Sequence, residues 1–191
     1  MMKEVIFIAR YLDRLGYIAG REGNISLRRG ELVYIKASGV YLAEATEKDF
    51  VKVGLDGKVY GKKRPSIELP MHLTIYKSRN AVSAIIHSHP PYVTALSLLE
   101  EDFEPKTEEA KLYLKKGVGF VGSLEPGSMD LAKAVEWQIK KGHDVVVLKG
   151  HGLLAVGSTL REAFERTIAT ERCATALFLT GLAKGKWLRR A

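Results

Sequence analysis

The 191-residue chain has a single cysteine, Cys173, so it can close no disulfide on itself and build no zinc site from clustered thiolates. Any metal it holds must rest on histidine and carboxylate. Amide side chains are almost as scarce: Gln138, Asn24 and Asn80 stand against 30 Lys and Arg and 22 Asp and Glu. Such a balance fits a thermophile. Long apolar runs are also missing. Val145 to Leu148 and Ala84 to Ile86 fall far short of the roughly 20 residues that cross a bilayer, and no transmembrane helix is expected. Lys3, Glu4, Arg10, Asp13 and Arg14 interrupt the first apolar pattern, which excludes a secretory signal and points to a cytoplasmic protein. With no repeat, low-complexity tract or linker, residues 1–191 read as one domain with a short basic tail from about 183.

What is present is a globular balance of 46% hydrophobic and 27% charged residues, enough to bury a core. The net charge of +8 comes from basic residues spread along the chain, and only Lys184, Lys186, Arg189 and Arg190 cluster. That distribution argues against a nucleic-acid partner, and with apolar runs this short no membrane partner is expected. Helical spacing of Val5, Ile8, Ala9, Leu12 and Leu15 before Gly16 predicts an opening helix. Short strands are predicted at 24–29, 31–37 and 51–53, joined into hairpins by turns at Arg29-Gly30 and Asp56-Gly57. Ser66 is expected to cap a helix to about Ser78, with Glu68 at its start. A buried strand at 82–88 leads into a helix opened by Pro90-Pro91, and the acidic stretch 100–109 reads as a surface loop. Ser128 starts an amphipathic helix ending near Gly142, strands follow at 144–149 and 153–156, and Thr159 to Glu162 fits a capping box for a long last helix. Leu160, Ala163, Phe164, Thr167, Ile168, Ala174, Leu177 and Phe178 form its inward face. The expected fold class is α/β, a layered sandwich with a mostly antiparallel central sheet flanked by helices.

Chemistry concentrates at His87-Ser88-His89. Residues i and i+2 of a strand project to one side, where two imidazoles can share a metal, although the same triplet also occurs as ordinary packing. His151, after an apolar strand and between Gly150 and Gly152, can join them at the strand ends. Glu68 is a further candidate as ligand or base, or else a carboxylate that merely sits well at a helix start. Glu68 and His72, one helical turn apart, make a rival metal face, and His143 reads as a cap or solvent residue. Gly23-Asn24-Ile25-Ser26 and Lys36-Ala37-Ser38-Gly39 are polar turns that can cradle a phosphate or serve as plain hairpin turns.

The ordered set Gly23-Asn24-Ile25-Ser26, Ser38-Gly39, Pro65-Ser66-Ile67-Glu68, His87-Ser88-His89-Pro90 and His151-Gly152 resembles the class II aldolase and adducin head family over about residues 3–182. The resemblance implies zinc, one per subunit, on His87, His89 and His151, with Glu68 a ligand that leaves to become the catalytic base. It implies substrate phosphate at Asn24, Ser38, Gly39 and Ser66, and a homotetramer with active sites between subunits. Tyr113, before the glycine-rich stretch 117–122, is the match for a proton-donating tyrosine from the neighbouring subunit, or else a structural tyrosine. The implied activity is a lyase that cleaves a ketose 1-phosphate, such as L-fuculose 1-phosphate, to dihydroxyacetone phosphate and an aldehyde. The alternatives are a related sugar-phosphate epimerase or dehydratase, or a non-catalytic module stabilised by zinc. Two residues depart from the family pattern: Ile67 stands where a phosphate-binding hydroxyl is usual, and Gly150 where Asn is commoner.

Overall fold

The computed structural model describes residues 2–99 and 103–185. Helix α1 (Met2–Arg14) precedes the hairpin strands β1 (Asn24–Arg29), β2 (Leu32–Lys36), β3 (Phe50–Gly54) and β4 (Val59–Tyr60). Helix α2 (Leu69–Ser78), β5 (Ala84–Ser88), α3 (Pro91–Leu98), α4 (Glu108–Tyr113), β6 (Gly119–Val121), α5 (Met129–Lys140), β7 (Val145–Leu148), β8 (Gly152–Gly157) and α6 (Leu160–Ala183) follow. The strands form one eight-stranded sheet in the order β4-β3-β2-β1-β5-β8-β7-β6. Every neighbouring pair is antiparallel except β6 and β7.

Period-2 alternation divides the central strands between two apolar layers. Ile85, Val146, Leu148, Leu154 and Val156 face α2 and α5, packing on Met71, Ile75, Leu131 and Val135. Their neighbours face the other way: Ala84 and Ile86 meet α1 and the start of α6, while Val145, Val147, Leu153 and Ala155 meet α3, α4 and the middle of α6. Helices cover both faces, so β7, β8 and the first three residues of β5 are apolar although β5, β8 and β7 pair antiparallel.

Some local details differ from the expectations or add to them. Ser66 is not the cap of α2: its N–H bonds to Lys36 O and Pro65 bridges Ala37, which keeps this segment extended beside β2. Glu68 takes the cap position instead, and the Ser66 hydroxyl accepts the Glu68 N–H at 3.3 Å. In the capping region of α6, Thr159 accepts the Glu162 N–H as expected, and the Glu162 carboxylate also accepts the Ser158 N–H. The acidic stretch is only partly loop, because Thr107 caps α4 and Glu108 and Glu109 favour its positive end. Finally, the glycine-rich stretch contains β6, whose three residues pair with β7. Residues 100–102 of the acidic stretch, and Lys186, Arg189 and Arg190 of the basic cluster, lie outside the described residues.

Candidate functional site

One end of the sheet gathers the chemistry. Antiparallel register sets Asn24, the first residue of β1, opposite His87 near the end of β5, and sets His87 opposite Leu154 near the start of β8. His89 therefore leaves β5 where His151 enters β8. Glycine permits this closeness. A Cβ at Gly152 would collide with Ser88 O, and one at Gly23, whose φ of 66° already disfavours a side chain, would meet Ile18 and His87 O. The expectation of close backbone approach beside His151 thus has its object in β5 itself.

The three rings meet with centroids 4.8 to 5.1 Å apart, and one nitrogen of each lies within 4.8 Å of the others. His87 Nδ1 donates to Leu153 O at 3.1 Å, which leaves Nε2 of the neutral ring with a lone pair aimed at the cluster. Burial, with His151 adding, pushes His87 down to about 3, and burial with His87 does the same to His89. Both rings are thereby kept unprotonated and able to ligate. His87 Nε2 and His89 Nε2 face each other at 3.1 Å, and His151 Nδ1 is buried without a partner. Three converging imidazoles, with the unpartnered Nδ1 of His151 among them, fit a divalent metal.

Glu68, only 5% exposed at the start of α2, closes the fourth side. Its Oε2 accepts Asn24 Nδ2–H at 2.8 Å and lies 3.2 Å from His87 Nε2, while Oε1 lies 3.5 Å from His151 Nε2. The rival pairing with His72 does not form. His72 is fully buried behind the site, its Nδ1 bonded to the Ser26 hydroxyl that also meets Tyr76 OH. His143 bonds Lys116 O instead, away from the cluster.

A cavity of about 510 Å³ opens beside these groups, lined by Asn24, Ser38, Gly39, Ser66, Ile67, Glu68, His89 and His151. All four candidate phosphate residues thus share it with the carboxylate and two of the histidines. Lys36, the first residue of the second polar turn, also lines it. Its Nζ, 2.8 Å from Arg21 O and 2.9 Å from Val40 O, ties together the two loops that carry Asn24 and Ser38. Burial lowers the Lys36 pKa to about 8, with Glu68 opposing the shift. Tyr113 lies elsewhere in the same chain, in a cavity with Arg79, Asp144, Val156 and Arg166 at the opposite end of β8.

Residues 3–178 match the model of the class II aldolase and adducin N-terminal domain. The chain belongs to that family. It is 39% identical to an L-fuculose phosphate aldolase of Methanococcus vannielii, across 91% of this chain and 93% of the relative. The structure of an L-fuculose-1-phosphate aldolase from Thermus thermophilus superposes with a TM-score of 0.89 at 27% identity, covering 96% of this chain and 95% of that one. Class II aldolases with a different substrate are similar as well: a 5-deoxy-D-ribulose 1-phosphate aldolase of Bacillus thuringiensis is 31% identical across 93% of this chain and 84% of the relative. Family membership, the eight-stranded fold and the histidine cluster agree on aldolase-type lyase chemistry.

Proposed function

We propose that the protein is a cytoplasmic, zinc-dependent aldolase that cleaves, and in reverse forms, a ketose 1-phosphate such as L-fuculose 1-phosphate, yielding dihydroxyacetone phosphate and an aldehyde. The observation that carries this reading is Glu68, a buried carboxylate in contact with two of the three clustered imidazoles and open to the cavity that holds the candidate phosphate cradle. His87, His89 and His151 would hold the metal, and the Glu68 carboxylate beside them could ligate it as well. When bound, zinc supplies Lewis-acid polarisation of the substrate ketone and stabilises negative charge on its oxygen.

The protein groups divide the remaining work. Asn24, Ser38, Gly39 and Ser66 hold the phosphate, and the ammonium of Lys36 contributes positive charge from below. In cleavage, the bond between C3 and C4 of the ketose breaks, the C4 hydroxyl loses its proton as it becomes the aldehyde, and C3 takes up a proton. Glu68 carries the proton on C3, giving it in cleavage and removing it in synthesis. The Asn24 amide, 2.8 Å from Oε2, fixes the carboxylate for that transfer. Tyr113 of a neighbouring subunit handles the hydroxyl proton within a homotetramer, since Tyr113 is remote from the histidines of its own chain. Release of dihydroxyacetone phosphate from a panel of ketose 1-phosphates tests the reading. Turnover of at least one, abolished by chelation and restored by zinc, is expected. No release from any of them would overturn it.

A further inference from the structure

Glu171 is a carboxylate set into the inward face of α6, among Thr167, Thr170, Cys173 and Ala174, and it is 2% exposed. A charge in such surroundings is costly unless its oxygens are satisfied. Both are satisfied, and both by backbone: Oε1 accepts the Tyr92 N–H and Oε2 the Val93 N–H, each at 2.9 Å. These N–H groups belong to the first turn of α3. Pro90 occupies its cap position and Pro91 its first residue, so the helix has no side-chain cap of its own. A residue of another helix thus supplies both acceptors that the uncapped first turn needs.

The turn that Glu171 grips begins two residues beyond His89. On its other side His89 is fixed by the end of β5, where Ser88 pairs with Leu153, and by its own N–H bonded to Tyr17 O at 2.7 Å. Between His89 and Tyr92 stand only Pro90 and Pro91, whose rings fix φ. A shift of the α3 first turn is therefore passed on to His89 rather than absorbed. We propose that Glu171 is a positioning residue for the three-histidine centre, its carboxylate fixing the first turn of α3 and, through the stiff Pro90-Pro91 link, the placement of His89 against His87 and His151. This rests on the reading of that centre as a metal site.

The charge state of Glu171 governs the grip. Burial raises its pKa to about 7, against the two N–H bonds, which favour the ionised form. The titratable and charged groups facing this region are Tyr17 from the loop after α1, Tyr92 on α3, Arg172 on α6 itself, and Glu109 on α4, which pairs with Arg172 at 3.4 Å. Burial and the Glu171 charge push the Tyr17 hydroxyl up to about 12, so it stays neutral. Apart from His87, β5 has no ionisable side chain, and β8 has none. Protonation turns one acceptor oxygen of Glu171 into a hydroxyl and leaves one helical N–H poorly served.

Metal-stripped protein titrated with cobalt(II) alone, followed by visible absorption, tests this. E171Q keeps the size of the side chain but turns its amide NH2 toward one of the two N–H groups. At about pH 8 its cobalt affinity is expected to fall about tenfold, with an altered absorption band, as for other groups that orient metal ligands indirectly. V93A trims packing on the same turn but keeps the N–H, and should lose stability while binding cobalt within about twofold of wild type. The difference between wild type and E171Q should shrink towards about pH 6, where wild-type Glu171 itself takes up a proton. Equal cobalt affinity and spectra for wild type and E171Q at about pH 8, or an equal loss in V93A, would overturn the assignment and leave Glu171 as a stabiliser of α3. If E171Q does not fold, E171D, which keeps the charge but is one methylene short, is judged by the same criteria. Wild-type protein that binds no cobalt would instead remove the metal-centre reading itself.

Discussion

Glu68 and Ile67 are adjacent, yet the structure gives them opposite surroundings: the carboxylate is buried against two imidazoles, while Ile67 is 65% exposed at the mouth of the cavity. Glu68→Gln keeps the shape and the contact with Asn24 but cannot take a proton, so turnover should fall by about 10²–10⁴-fold with the fold retained. Exchange of the C3 hydrogen of dihydroxyacetone phosphate with solvent checks it, and normal exchange in this variant would move the base elsewhere. Ile67→Ser should lower KM for a phosphorylated substrate with little change in kcat, since a hydroxyl at the cavity mouth adds a donor for phosphate without touching the reacting carbons. An unchanged or higher KM would mean that a backbone N–H already fills the role. At this scale the strand spacing of His87 and His89 was legible in the sequence, as was the candidacy of His151. His72 stood as a rival ligand behind them, because one helical turn from Glu68 is also ligand spacing but lacks converging strand ends, and packing shows that it bonds Ser26 behind the site. Glu171 was missed because its type is usually solvated, and burial of its carboxylate is decided by a helix distant in sequence. A gap in the apolar stripe of α6, between Thr167 and Ala174, was the available signal for Glu171.

Elements with strong periodicity or a side-chain cap were readable from sequence: α1, α5, α6 and the central strands lie close to their expected bounds. The element hardest to read is β6, three residues in a glycine-rich stretch whose pairing with β7 depends on a residue separation no local pattern encodes. Helix α4 was hidden by its acids, which read as loop until Thr107 is seen capping it. The junction of β5 and β8 matters most to the site, and it turns on Gly152. A methyl group there would press on Ser88 O and approach His89 Cδ2 to 3.3 Å, so Gly152→Ala must push β8 away from β5. Overpacking of this kind typically costs about 1–3 kcal/mol. Urea denaturation should show that loss, together with weaker metal binding because His89 and His151 are forced apart. A variant as stable as wild type, with unchanged metal affinity, would show that the strands have slack at this point.

Across the whole molecule, the buried imidazoles couple the site to stability. Burial pushes His72, His87 and His89 each from 6.5 down to about 3. In the metal-free protein the unfolded chain then binds protons that the folded one refuses. The stability these groups contribute is fully present above about 6.5 and is lost as pH falls towards about 3. Glu171 runs the other way: raised from 4.5 to about 7, it contributes stability that is present below about 4.5 and lost as pH rises through about 7. Three groups outweigh one, so acidification should destabilise. Asp49, held down to about 2 by Lys63 and Thr46, adds to the loss only in stronger acid. The urea midpoint of chelated protein is therefore expected to decline steadily as pH falls from about 6.5 to about 4, and His72→Asn, which removes one of these groups while leaving an amide to meet Ser26, should decline less steeply. Zinc should raise the midpoint most near neutrality and progressively less in acid, because protons and metal compete for the same nitrogens. A midpoint that stays level between about pH 7 and about pH 5 in the chelated protein would mean that His72, His87 and His89 take up protons in the folded chain as readily as in the unfolded one, and would overturn the lowering that burial imposes on them.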